Sequence, residues 1–172
     1  MKICISGLSA SGKTTVGERL AERLGIKHVS VSYKRDVGSN KELLALLKSS
    51  KPEYAKKFDS MVKSMAKGDC VVTTWLSPWI IKDSTLNVWL YADLDVRIRR
   101  IMKREGVSRE SASKYIREKD LLTISHFKKV YKIDVMDDSK FDIKINTGRV
   151  NTENAVAIIA LSAMLMEKER FG

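Results

Sequence analysis

The chain has 172 residues, 44% hydrophobic and 31% charged, with 32 Lys and Arg against 21 Asp and Glu. This length and composition suit one domain with its own core and argue against disorder. No apolar run approaches the ~18 residues of a membrane span, and the short apolar start runs straight into a motif, so a cytoplasmic protein without a membrane partner is expected.

Lys2 to Ser6 reads as a short buried strand, and Lys13 to Leu24 as a helix. Val16, Leu20 and Leu24 recur at i, i+4 on one helix face, and Gly25 follows as a stop. His28 to Val31 reads as a second strand. Ser39-x-x-Glu42 has the spacing of a capping box and opens a leucine-rich helix. Pro52 opens another helix, whose apolar stripe is Tyr54, Phe58, Met61, Val62 and Met65, before Gly68. Cys70 to Thr73 and Leu86 to Leu90 read as strands, Asp93 to Arg104 as a helix ended by Gly106, and Ser108 to Lys132 as a charged, mobile helix. Phe141 to Ile145 alternates as a last strand, and Asn151 or Thr152 caps a final helix. Strands alternating with helices predict an α/β fold of the P-loop NTPase type. This is a three-layer sandwich with a mostly parallel five-stranded sheet, flanking helices and a helical lid. Cys4 and Cys70 are far apart in apolar runs and have no C-x-x-C partner, so they are expected to be buried thiols without metal or disulfide.

The chemistry concentrates near the N-terminus. Gly7-Leu8-Ser9-Ala10-Ser11-Gly12-Lys13-Thr14 fits G-x-x-x-x-G-K-[ST]. Glycines let the backbone curl so that successive N–H groups face a phosphate, and the following helix aims its positive end at the same point. Lys13 adds a mobile cation, and Thr14 offers a hydroxyl to Mg²⁺. The pattern follows an apolar strand and opens an amphipathic helix, the context a nucleotide site requires. Gly7, Ser9, Ala10, Ser11, Gly12, Lys13, Thr14 and Thr15 are therefore the expected binders of the ATP phosphates. The strand that ends at Thr73-Thr74 brings no acidic Mg²⁺ ligand, which leaves Asp36 and Asp59 as candidates.

The charge excess is localised. From Arg97 to Lys132 there are twelve Lys and Arg against four Asp and Glu. Such a stretch suits nucleotide phosphates or a nucleic-acid backbone. Arg100 and Arg104 lie one turn apart on one helix face, where forked guanidinium groups suit phosphate oxygens. Trp75 and Trp79 bracket Pro78 just past a predicted strand end, where they either stack on a base or pack beneath the loop.

Taken together, the P-loop, Arg100 to Gly106, Tyr131-Lys132-Ile133-Asp134, and Phe141-Asp142 through Ile145-Asn146-Thr147 resemble the archaeal-type cytidylate kinases, small P-loop nucleoside monophosphate kinases. The resemblance implies phosphoryl transfer from ATP to CMP or dCMP with Mg²⁺. It implies a monophosphate-binding arm at about 32–68, a lid at about 106–132, and an adenine site bordered by the loop after Asn146-Thr147. Arg100 and Arg104 then face ATP. Where the family has two lid arginines this chain has Lys119 and His126, which join Lys13 and Arg104 as expected catalytic groups. Ser32, Arg35 and Asp59 are the expected acceptor-side residues. The family's Gly-Arg pair after the third strand is replaced by Thr73-Thr74-Trp75-Leu76, without an arginine. A histidine in place of a lid arginine predicts activity that weakens as pH rises through its titration. The alternative reading is a P-loop ATPase acting on RNA or a ribonucleoprotein through the basic lid.

Overall fold

The computed structural model describes residues 1–31, 38–49 and 52–171. Its elements in chain order are β1 (Lys2–Gly7), α1 (Lys13–Leu24), β2 (Lys27–Ser30), α2 (Asn40–Ser49), α3 (Pro52–Met65), β3 (Cys70–Thr73), α4 (Ser77–Ile80), β4 (Leu86–Tyr91), α5 (Leu94–Glu105), α6 (Arg109–Tyr131), β5 (Ile143–Asn146) and α7 (Thr152–Phe171). A single 3₁₀ turn, Asp138–Lys140, precedes β5. The five strands pair in the order β2-β3-β1-β4-β5, and every pairing is parallel. The three-layer architecture read from the sequence is the one observed.

Strand periodicity divides the core between the two faces of the sheet. Ile3, Ile5, Val71, Val88 and Leu90 face α1 and α7, where they meet Val16, Leu20, Val156 and Ile159. Cys4, Val29, Cys70 and Val72 face the other way, toward Leu43, Leu47, Phe58, Val62, Leu76 and Phe127. Both thiols are buried and free. Burial removes the thiolate's hydration and pushes the Cys4 pKa up to about 12, which makes it inert packing.

The caps follow the sequence. Gly25 and Gly106 end α1 and α5 in the left-handed conformation. The Ser39 hydroxyl accepts the Glu42 N–H at 3.1 Å and donates to its carboxylate at 2.8 Å. Of the two candidate caps of the last helix, Asn151 does the work, since its side-chain Oδ1 accepts the Asn154 N–H at 2.8 Å. Residues 109–131 form one continuous helix with a buried face of Ala112, Ile116, Asp120, Thr123, His126 and Phe127. The expectation of a charged, mobile helix does not include this packed stripe. The one-turn helix α4 carries Pro78 near its start, a position the missing N–H tolerates, and four residues are too few to leave a periodic signal.

Candidate functional site

β1 is the central strand, so the loop after it opens at the carboxyl edge of the sheet between its neighbours β3 and β4. Gly7 makes the turn possible: a Cβ there would lie 2.1 Å from the Leu90 carbonyl oxygen. Gly12 takes φ +96, and Ala10 is held at φ +59, a left-handed conformation that costs a non-glycine residue energy. The Lys13 ammonium donates to the carbonyls of Gly7 at 2.7 Å and Leu8 at 2.9 Å, curling over the loop. It also lies 5.4 Å from the centre of the Trp75 ring. Burial, and then the neighbouring Lys119 ammonium, pulls the Lys13 pKa down to about 7. The cation is thus held where only incoming negative charge would restore its usual protonation. The Ser9 hydroxyl, 4% exposed, lines the same cleft and has no protein partner among the described residues. An orphaned buried hydroxyl beside curled backbone N–H groups fits phosphate oxygens.

The cleft measures about 920 Å³ and runs from the phosphate loop to a wall beyond β3. On the loop side lie Ser9, Ala10, Gly12, Lys13, Thr14 and Thr15, with Arg100, Arg104, Lys119 and Thr147. On the far side lie Ser30, Leu47, Phe58, Asp59, Thr73, Thr74, Trp75 and Phe127. Trp75 tilts onto Phe127 with ring centres 6.3 Å apart, so it packs and lines the cavity at once. Trp79 meets Phe141 edge-on at 5.7 Å and is a packing residue outside the cleft. Burial raises the Asp59 carboxyl, an effect the Tyr131 hydroxyl opposes by hydrogen bonding.

The expected residues therefore divide. Lys13, Arg104, Lys119, Thr14, Thr15 and Asp59 all line the cleft. Ser11 is fully buried, with its carbonyl accepting from the Thr147 hydroxyl at 2.8 Å, so it braces the loop from behind. Arg100 lines the cleft, but its guanidinium is engaged with protein: it donates to the Ala10 carbonyl at 3.0 Å and to the Thr147 hydroxyl and carbonyl at 3.0 and 2.7 Å. His126 does not join the cleft. It is 2% exposed, in ring contact with Phe127, and hydrogen bonded to the backbone of Leu47 in α2. Burial lowers its pKa, so it is neutral through the range in which a lid cation is needed. This overturns its assignment as a catalytic cation and removes the reason to expect activity to follow its titration. Ser32, Arg35 and Asp36 lie outside the described residues.

Two residues that the sequence reading passed over prove central. Arg97 is 7% exposed and Asp120 of α6 is 9% exposed, and they pair at 2.6 Å. Arg97 also donates to the carbonyls of Ser9 and Ala92, each at 3.2 Å, while Asp120 accepts the Ser9 N–H at 3.1 Å. At the surface Arg109 pairs with Asp95, and the acid Glu118 of the stretch with Lys48 of α2; Arg97 and Arg100 are basic groups turned inward. The basic segment is thus partly internal wiring rather than a uniform surface for RNA. No cluster of three His, Cys, Asp or Glu side chains suited to a metal occurs among the described residues. No helix among them is long and apolar enough to cross a membrane.

Comparison with known proteins agrees with this geometry. Residues 37–149 match the model of the cytidylate kinase-like family. The chain is 35% identical over 175 residues to the cytidylate kinase of Archaeoglobus fulgidus, covering 98% of this chain and 97% of that protein. It is 32% identical over 163 residues to the cytidylate kinase of Pyrococcus horikoshii, covering 91% and 85%. Among solved structures, shikimate kinase from Acinetobacter baumannii superposes with a TM-score of 0.60 at 19% identity, covering 97% of this chain and 94% of that one, a likeness of fold. With its parallel sheet, phosphate loop and these relatives, the chain belongs to the cytidylate kinase-like family and is an enzyme of the nucleoside monophosphate kinase class.

Proposed function

We propose that the enzyme transfers the γ-phosphoryl group of ATP to CMP or dCMP, forming ADP and CDP or dCDP. The observation that carries this reading is the single cleft that joins the phosphate loop to the wall at Phe58, Asp59, Thr73 and Trp75. A donor on the loop and an acceptor against that wall would share one cavity, as direct in-line transfer requires. Likeness to relatives named cytidylate kinase supports a cytidine nucleotide as the acceptor.

The residues act by position and charge. The N–H groups at the start of α1 and the Lys13 ammonium hold the donor's β- and γ-phosphates. Arg104 and Lys119 approach from α5 and α6 and offset charge on the transferring group. Thr14 would offer a hydroxyl ligand to Mg²⁺, with the nucleotide and water completing its shell. Bound there, the ion would offset phosphate charge during transfer. Residues 32–68 serve as the acceptor arm and 106–132 as the lid, which keeps water from taking the phosphoryl group.

The test is ATP consumption with CMP, dCMP, UMP, AMP or GMP as acceptor, against a control without acceptor. Stimulation by CMP and dCMP well above the purine nucleotides supports the reading. Equal stimulation by all five, or none by any, overturns it.

A further inference from the structure

Arg97 and Arg100 sit at i, i+3, and each takes hold of one peptide unit of the phosphate loop: Arg97 the carbonyl of Ser9, and Arg100 the carbonyl of Ala10. These two peptides form the bend of the loop, where Ala10 is held left-handed at φ +59. A strained, non-glycine bend needs outside contacts to persist. The Ser9 backbone has them on both sides, because its N–H is taken by Asp120 at 3.1 Å. Asp120 comes from α6, 111 residues further along the chain, and its second oxygen closes the triangle with Arg97 at 2.6 Å.

We infer that the Arg97–Asp120 pair is a positioning device that ties the shape of the phosphate loop to α6, clamping the Ser9 backbone so that the N–H groups beyond it aim at the nucleotide's β-phosphate. The inference rests on the phosphate-binding role of that loop. A lone carboxylate against the loop would repel phosphate, and Arg97 cancels that charge while using it as an anchor. A lone guanidinium at 7% exposure would be equally unfavourable. Each partner therefore makes the other tolerable, and the Ser9 residue between them gains two fixed backbone hydrogen bonds. Because the carboxylate belongs to α6 and not to α5, the loop is set only when α6 is docked. The same helix reaches α2 through the Tyr115 hydroxyl, which donates to Asn40 at 2.8 Å. One helix thus contacts both the phosphate loop and an element of the proposed acceptor arm.

The discriminating variant is the apolar double replacement Arg97→Met with Asp120→Leu. Exchanging a buried ion pair for apolar groups of similar size generally keeps a fold intact. A purely structural pair would then be dispensable. Here the folded double variant is expected to bind ADP at least tenfold more weakly than wild type by calorimetry. Its kcat should fall at least 30-fold while the acceptor KM stays within twofold. A folded double variant with ADP affinity and kcat within threefold of wild type overturns the proposal. ADP affinity is measured without acceptor, so failure of the CMP reading would leave this test standing. A second measurement needs no variant. In the nucleotide-free protein, amide hydrogen exchange should show Ser9 protected while the amides of Lys13 and Thr14 exchange freely until ADP is added. Ser9 exchanging as fast as those two would overturn the proposal regardless of how the variants fold.

Discussion

Lys13 offers a prediction that can be followed proton by proton. Burial and the Lys119 charge hold its pKa at about 7 in the nucleotide-free protein, so at pH 8 roughly nine in ten molecules carry a neutral amine. Phosphates that enter the loop favour the ammonium and push the pKa back up. Binding of ADP at pH 8, where its phosphates are already ionised, should therefore take up about 0.9 proton per site. At pH 6.5 the amine is already mostly charged and the terminal phosphate of ADP is itself partly protonated, so the net uptake should fall toward zero or reverse into release. The sign is fixed by the direction of the shift: the group is under-protonated when free and fully protonated when bound. Calorimetric titrations in buffers of different ionisation enthalpy measure the uptake directly. Lys13→Met should abolish it and weaken binding, while the fold persists because the hydrogen bonds of Lys13 go only to loop carbonyls and its approach to Trp75 lies at the surface of the cleft. No uptake by the wild-type protein at pH 8 would show that Lys13 is charged before nucleotide arrives, and the electrostatic account of the loop would fail.

Gly17→Ala would place a Cβ 2.3 Å from the Thr73 methyl and 2.9 Å from His28 Nε2, forcing α1 off the sheet. A loss of about 1–3 kcal/mol in denaturant unfolding is expected. His126 is held neutral by burial, so its contribution to stability is present above the unfolded pKa of about 6.5 and is lost as pH falls toward its lower folded value. His126→Gln should flatten that acid limb in thermal melts, and kcat for His126→Gln should keep the wild-type pH profile. Arg104→Ala removes a cleft cation that is more than half exposed. It should lower kcat about 10- to 100-fold with little change in melting temperature, a combination that steady-state kinetics and calorimetry read together.

The centre of the sheet was legible because β1, β3 and β4 are short, largely apolar runs, and the edge strand β5 was legible from its alternation. The phosphate loop was legible because its curl demands glycine at fixed places, as the Leu90 carbonyl 2.1 Å from a Cβ on Gly7 shows. What stayed hidden were roles that depend on partners distant in sequence. Arg97 stands among Arg99, Arg100, Lys103 and Arg104, and nothing local separates it from them. Only its position on the buried face of α5, with Ile98 and Ile101, gives a clue, and its partner is 23 residues away. Asp120 could have been suspected, since it falls in register with the apolar positions Ala112, Ile116 and Phe127. A carboxylate on such a stripe calls for a buried cation. His126 misled in the opposite way. Its alignment with a lid arginine suggested charge, whereas its place beside Phe127 on the packed side of α6 makes it a core ring.

The central claim is that one cavity holds donor and acceptor for direct transfer, and product identity tests it most directly. Incubated with ATP, Mg²⁺ and CMP, the enzyme should yield CDP and ADP in equal amounts by ³¹P NMR, with inorganic phosphate at trace level. Lys13→Met should yield neither. Inorganic phosphate accumulating with ADP while CMP stays unchanged would contradict the account, because the γ-phosphoryl group would then be passing to water.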